Sequence, residues 1–431
     1  MRFQRIGQVH DYLEQMPKFS TSGPEAANFD LERFRRYLEV SGNPQDRFAS
    51  VHVAGTNGKG STCSLIASVW REGGWRTGLY TSPHLQRIHE RFRVDGKMIT
   101  DGEMLAYFRT HEDLITSFRL SYFELTTALA FWWFAERQVD LAVVETGLGG
   151  KLDATNVISP VLSIITNVSL DHTDLLGETV PEIAREKAGI VKSGVPVLTG
   201  NVSPDARKVI REAAAERGAS LYGTDDLRYA LKDGLFRLEP SRDKKGGGFE
   251  AWVGALPPVQ AHNLAMAWRA ARLLSDDFPM DDVTVGRGLT RAPQNFPLPA
   301  RFERLHPDLE WFFDGAHNTA AACALKEAVA ARRPVSEAVL VFALMRDKAG
   351  PDLLQAFSEF KKIYYYNLET ARSARLDDLS PGLPELSEFP SRSGERLSLM
   401  RDLQSELVIF AGSFYFYATV REWVFSFSKS R

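Results

Sequence analysis

The stretch VHVAGTNGKGSTCSLIA, residues 51–67, decides the fold. A short β-branched run ends at Gly55, a turn follows with Gly58, Lys59 and Gly60, and then two hydroxyl residues open a segment with helical spacing. Strand, glycine turn, lysine, hydroxyls and helix are the ingredients of a phosphate cradle. Glycines let backbone N–H groups converge on phosphate oxygens, and a helix N-terminus adds a favourable dipole. The segment Thr56, Asn57, Gly58, Lys59, Gly60 and Ser61 therefore reads as a nucleotide-binding loop. Lys59 is expected on the β- and γ-phosphates, and a hydroxyl on Mg²⁺. The general pattern wants glycine where Val53 stands and Ser or Thr where Gly60 stands, so Ser61 takes the metal role one residue late. The competing reading is a plain strand-to-helix turn.

The surrounding sequence repeats this alternation. TGLYTS (77–82), DLAVVE (140–145), PVLSIITNV (160–168) and VPVLTG (195–200) read as buried strands, and FELTTALAFWWFAERQ (123–138) reads as a helix. Strands separated by helices of this length imply an α/β fold: a mostly parallel sheet with helices on both faces. DLRYALKDGLFRLEP carries an Asp233-Gly234 hairpin signal, SRDKKGGGF (241–249) reads as a polar loop, and QAHNLAMAWRAARLL (260–274) returns to helical spacing. Pro293, Pro297 and Pro299 cluster in RAPQNFPLPARFE (291–303), which marks a boundary. Beyond it LEWFFDGAHN, EAVLVFALM (337–345), KKIYYYNL (361–368) and ELVIFAGS (406–413) give the strands of a second, smaller Rossmann-like α/β domain. The division expected is 1–296 and 297–431.

Composition narrows the class. The chain has 431 residues, 44% hydrophobic and 25% charged, which suits a globular protein of two or three domains. With 52 Lys and Arg against 55 Asp and Glu, no basic surface for nucleic acid is expected. Two cysteines cannot build a disulfide framework, so a reducing cytoplasm is the simpler setting. The charged N-terminal run MRFQRIGQVHDYLEQMPKF does not read as a signal peptide. The apolar stretch TTALAFWWFA is short of the roughly 20 residues a membrane span needs.

Glu145 ends a predicted strand and Ser82 and His172 follow others, at the end where parallel sheets bind ligands. Three such groups could converge on one Mg²⁺, for which oxygen ligands are expected. Read alone, His172 serves as readily as a structural hydrogen-bonder. Lys187, in IAREKAGIVK, reads alone as a cationic helix end. Asp314 reads as a helix cap or a ligand contact, Arg301 as a surface ion pair or a clamp, and Phe123 as a stacking face or as core.

GTNGKGS is similar to the loop of the Mur ligase superfamily. Together with TSPHLQRIHERFRV, SYFELTTALAF, VVETGLGGKLDATN, SLDHTDLLGETVPEIAREKAGIVK, ARFE, DGAHN and AGSFYF, in that order, the chain resembles the folylpolyglutamate synthase and dihydrofolate synthase family over nearly its whole length. That resemblance implies an ATP-dependent carboxylate–amine ligase that joins L-glutamate to dihydropteroate, to folates, or to both, through an acyl phosphate. Chain extension alone is the nearest alternative. A peptidoglycan-precursor ligase and a nucleotide-switch protein are more distant ones. The cofactors implied are ATP and one or two Mg²⁺ ions, with Ser82, Glu145 and His172 as metal ligands. Lys187 is implied to be carbamylated, which needs a neutral amine and hence a depressed pKa beside a cation. Catalysis would rest on Lys59, Lys187 and His172. Asn263, Arg301, Asp314 and His317 are implied at the nucleotide. Ser121, Tyr122, Phe123 and Glu124, with Leu152, Asp153 and Ala154, are implied at the pterin-bearing substrate. Thr146 stands where the family frequently has Val, Lys151 where it has Arg, Gly315 where it often has Val, and Thr319 where it often has Pro. The partners expected are small molecules only, with no nucleic acid and no membrane, acting on a monomer.

Overall fold

The computed structural model describes residues 3–17, 31–239, 248–254, 256–370, 372–383 and 385–429. The loop expected at 241–249 falls largely outside them, as do the last residues of DYLEQMPKF. The chain forms two compact units, one of Met1–Gly254 with Gln260–Pro297, the other of Ala255–Val259 with Leu298–Arg431. Among the described residues no helix is long and apolar enough to cross a membrane.

The first unit is built on strands β1 (Ala49–Ala54), β2 (Thr77–Tyr80), β3 (Phe92–Val94), β4 (Lys97–Met98), β5 (Leu141–Glu145), β6 (Leu162–Ile165), β7 (Val197–Thr199) and β8 (Leu221–Tyr222). Their order is β4-β3-β2-β5-β1-β6-β7-β8. The strands from β2 to β8 run parallel, while β3 pairs antiparallel with both β2 and β4. The chain moves from β1 outward to β2, returns to β5, and crosses β1 to reach β6, so the winding reverses beside β1. Open parallel sheets bind ligands at such a reversal, outside the carboxyl ends of the strands. Gly55 and Thr166 follow β1 and β6, Glu145 ends β5 between β1 and β2, and Ser82 follows β2.

Two helices show why the sequence folds this way. Lys59–Glu72 is buried along most of its length despite Ser64 and Ser68. These hydroxyls donate to the carbonyls of Phe296 and Gly288, and Asn295 Nδ2 donates to Ser68 Oγ at 3.0 Å. They therefore fasten the helix Asp282–Asn295 against it, and each of these three buried polar groups has a partner. That second helix runs through Pro293, so the proline cluster begins inside a helix and not at its end. The ring stands two residues before the helix ends, so one i→i−4 bond is given up just ahead of the boundary. Tyr122–Glu136 is apolar on all sides and sends Leu125, Leu129, Phe131 and Phe134 into the core it shares with Phe34, Tyr37 and Phe92. This is the buried helix that its short apolar run suggested. The predicted Asp233-Gly234 turn joins β9 (Tyr229–Lys232) to β10 (Leu235–Leu238), which β11 (Phe249–Trp252) extends to a separate antiparallel sheet.

The second unit has a six-stranded sheet of order β12-β13-β17-β14-β15-β16. Its strands are β12 (Glu303–Arg304), β13 (Trp311–Asp314), β14 (Val339–Ala343), β15 (Lys362–Tyr365), β16 (Ser387–Glu388) and β17 (Val408–Gly412). Only β12 is antiparallel to its neighbour. Phe312, Leu340, Phe342 and Ile409 form its core with Leu325 and Phe357 from the covering helices.

Candidate active site

The glycine loop starts at Gly55, because β1 continues through Val53 and Ala54. Val53 is thus a buried strand residue, which explains why no glycine is needed there. Gly58 has φ +78°, and a Cβ on it would lie 2.7 Å from Asn263 Oδ1. A left-handed backbone pressed against a polar side chain admits glycine alone. Asn263 Oδ1 accepts from Thr62 Oγ1 at 3.2 Å, and its amide donates to Gln260 Oε1 at 2.8 Å. Asn263 therefore supports the floor of the loop.

The segment after β6 braces the other side. Thr56 N donates to the Asn167 carbonyl at 3.1 Å, Asn57 N to Asn167 Oδ1 at 2.9 Å, and Thr166 Oγ1 to the Asn57 carbonyl at 2.7 Å. Thr56 Oγ1 donates to the Ser169 carbonyl and accepts from Ser169 N, both at 3.1 Å. Thr166 and Asn167 close the strand segment PVLSIITNV, and Ser169 is the first residue of SLDHTDLLG, none of them with a role read from the sequence. The one signal for them in the sequence is a polar run directly after an apolar strand.

Lys59 opens the helix Lys59–Glu72, with Gly60 and the buried Ser61 in its first turn. Its ammonium donates to the carbonyls of Gly55 at 3.1 Å and Thr56 at 3.2 Å. Lys187, near the end of the helix Val180–Ala188, is 3% exposed and donates to the same Gly55 carbonyl at 3.0 Å. Burial, and then the charge of Lys59, lower the Lys187 pKa to about 7. Its amine is consequently available in neutral form near physiological pH. Two amino groups held on one carbonyl make a concentrated site for an anion.

Glu145, at the end of β5, is buried and accepts from Ser82 N at 3.0 Å. These two expected metal ligands are thus brought together. His172 stands in left-handed conformation (φ +50°) before the short helix Thr173–Leu176, and its N–H donates to Asp171 Oδ1 at 2.9 Å.

Of SYFE, Ser121 and Glu124 form a capping box for the helix Tyr122–Glu136, and the buried Glu124 also pairs with Arg33 at 2.7 Å. Tyr122 is buried beneath the Arg91 guanidinium. Phe123 is half-buried, 6.1 Å from the Tyr80 ring, and the far end of its ring lies against Gly147 of the TGLGG turn. Of LDATN, Leu152 is exposed and Ala154 buried. Asp153 accepts from the N–H groups of Gly147 and Leu148, both at 2.9 Å, and of Thr155 at 3.0 Å. Its carboxylate closes the turn from within, while burial raises its pKa.

In the second unit, Arg301 lies between Ala300 (φ +62°) and Phe302 (φ +52°). Two left-handed non-glycine residues in three need restraint from outside. Glu303 Oε2 accepts from Ala300 N at 2.9 Å, Asp314 Oδ2 accepts from Phe302 N at 2.8 Å, and Gly315 N donates to the Ala300 carbonyl. The Arg301 guanidinium sits 4.5 Å from the centre of the Phe414 ring, and the His317 ring lies edge-on to the same ring at 5.6 Å. His317 Nδ1 contacts the Gly315 carbonyl at 2.6 Å. Burial raises the Asp314 pKa to about 6, opposed by Arg301. Asp314 is not a helix cap: Asn318 caps Thr319–Ala330, accepting from Ala321 N at 2.9 Å. Phe414 was visible in the sequence only as part of AGSFYF, without a role.

The Mur ligase middle domain model matches residues 53–234. Folylpolyglutamate synthase of Lacticaseibacillus casei is 32% identical over 95% of this chain and 96% of its own length. Dihydrofolate synthase/folylpolyglutamate synthase of Bacillus subtilis (strain 168) is 31% identical over 91% of this chain and 94% of its own. The structure of Mycobacterium tuberculosis folylpolyglutamate synthase complexed with ADP superposes with a TM-score of 0.85 at 27% identity, covering 97% of this chain and 98% of that one. The chain belongs to the folylpolyglutamate synthase/dihydrofolate synthase family, ATP-dependent ligases that form amide bonds on a Mur ligase middle domain.

Proposed function

We propose that the chain is a bifunctional enzyme that adds L-glutamate to dihydropteroate and then to the γ-carboxyl of reduced folates, using ATP in the cytoplasm. The observation that carries this reading is the pair Lys59 and Lys187 on the Gly55 carbonyl, beside the carboxyl ends of β1, β5 and β6. A carboxylate at neutral pH is a poor electrophile, so amide formation needs activation. The substrate carboxylate takes the γ-phosphoryl group of ATP, the glutamate amine attacks the resulting acyl phosphate, and inorganic phosphate leaves.

The Thr56–Ser61 backbone and Lys59 hold the phosphates, and catalysis is mainly positioning and charge neutralisation. The donor set suits a hard cation: Glu145 and the hydroxyls of Ser61 and Ser82 are oxygen ligands, with His172 the nitrogen exception. Bound there, Mg²⁺ supplies charge neutralisation to the phosphates. Lys187, with its pKa lowered to about 7, can take up CO₂ and become a carbamate, which is an additional anionic ligand. Phe123 offers a ring face to the pterin, with Leu152 the exposed member of the neighbouring turn. Arg301, Asp314 and His317 act on the nucleotide from the unit we read as the glutamate-ligase domain. Asn263 acts through the loop it supports. The functional form is a monomer with small-molecule partners only.

The name of the Lacticaseibacillus casei relative favours a narrower second reading, chain extension alone. Glutamate-dependent ADP release, measured separately with dihydropteroate and with tetrahydrofolate, separates the two. Turnover with both supports the bifunctional reading, and turnover with tetrahydrofolate alone supports the narrower one. No turnover with either overturns both.

A further inference from the structure

Outside the nucleotide loop, three side chains from distant parts of the first unit converge without serving any step above. His10 lies on the helix Ile6–Gln15, His89 in the short 3₁₀ turn Ile88–Arg91, and Asp101 at the first residue of Asp101–Thr110. Asp101 Oδ1 is 2.8 Å from His89 Nε2 and 3.6 Å from His10 Nε2, and the two imidazole rings are 5.8 Å apart at 34°. The three donor atoms all lie within 4.8 Å of one another.

We propose that His10, His89 and Asp101 form a binding site for one borderline divalent cation, with Zn²⁺ as its best occupant. The dimensions support it. Ligands on a tetrahedral ion with bonds of about 2.0–2.1 Å stand about 3.3 Å apart, a spacing the 2.8 and 3.6 Å edges bracket. As it stands, the carboxylate oxygen hydrogen-bonds the His89 ring and stands at ion-pair distance, 3.6 Å, from the His10 ring. A cation between the three engages all of them. Two imidazoles and a carboxylate are a donor set for zinc and its neighbours, while Mg²⁺ and Ca²⁺ prefer all-oxygen shells. Asp101 is 59% exposed on its side chain, which leaves the fourth corner open to water or to a small ligand. The ion ties the N-terminal helix to the segment that leads away from Ser82.

The test uses the full-length protein stripped with EDTA, in a Cys323→Ser background so that the exposed thiol is removed as a ligand. Zn²⁺ is titrated in competition with a chromophoric chelator, and Co²⁺ is followed by its visible absorption. The expected result is one Zn²⁺ per chain, undisturbed by millimolar Mg²⁺, with tetrahedral-type Co²⁺ bands. His10→Gln and His89→Gln are each expected to weaken Zn²⁺ at least tenfold and to abolish the rise in Tm that Zn²⁺ causes in the parent. His10 is half-exposed, so its variant folds even if the His89 variant does not. Absence of stoichiometric Zn²⁺ binding, or unchanged affinity in His10→Gln, overturns the proposal.

Discussion

Lys187→Met should change how stability depends on pH, and the sign follows from burial. The ordinary lysine value is 10.5, and the folded chain lowers it to about 7. Between these values the unfolded chain holds a proton that the native chain has released, so stability rises with pH across that window. A shift of this size makes the wild-type protein gain about 2–3 kcal/mol between pH 6 and pH 9 relative to a variant with no titrating group there. Methionine keeps the stem in its buried place and gives up the Nζ hydrogen bond to Gly55, worth about 1 kcal/mol at all pH values. The variant should therefore be more stable than the wild type at pH 6, with most of that advantage gone by pH 9. The assay is urea unfolding of both proteins at half-unit pH steps, in degassed buffer free of bicarbonate so that the amine is not carbamylated. Parallel stability profiles for the two proteins would mean that Lys187 titrates alike in the folded and unfolded chains, and that burial does not lower its pKa.

Four other perturbations have worked-out outcomes. Gly58→Ala places a methyl at φ +78° and 2.7 Å from Asn263 Oδ1, and should cost about 1–3 kcal/mol in urea unfolding while raising the KM for ATP. Asp153→Asn turns an acceptor toward four donors into a mixed group, and should cost about 2–3 kcal/mol by the same measurement, since buried N–H groups lose their partner. Arg301→Ala should lower kcat/KM for ATP at least tenfold, while losing the Phe414 contact costs only about 1 kcal/mol of stability. Lys59→Met should reduce glutamate-dependent ADP release by a factor of about a thousand with little change in Tm, as expected of a charge that stabilises the transition state.

Much of the fold was legible because its signals are local. Strand, turn and helix at 49–72 differ in residue type within a few positions, and the Asp233-Gly234 pair marks a hairpin by chemistry alone. The same pair at Asp95-Gly96 turns β3 into β4, yet strands of three and two residues are too short for periodicity to register. Pro293 reads as a breaker and sits in a helix, and the break it signals comes two residues later, at Asn295. At the site, the sequence identified groups that carry charge, Lys59, Glu145 and Lys187, but not the groups that hold them. Thr166, Asn167 and Ser169 act through backbone carbonyls, amides and hydroxyls that become informative only when β6 lies beside β1. Asp153 and Glu124 carry the opposite lesson. Their carboxylates look available for a ligand in sequence, and in the fold they are occupied by a turn, a cap and Arg33.

In the proposed reaction the acid is activated by phosphorylation before the amine attacks. Tetrahydrofolate or dihydropteroate labelled with ¹⁸O in the reacting carboxyl, incubated with ATP and L-glutamate, tests it directly through the mass of the phosphate released. One ¹⁸O should appear in inorganic phosphate for each amide bond formed. Amide formation accompanied by unlabelled phosphate would exclude the acyl phosphate.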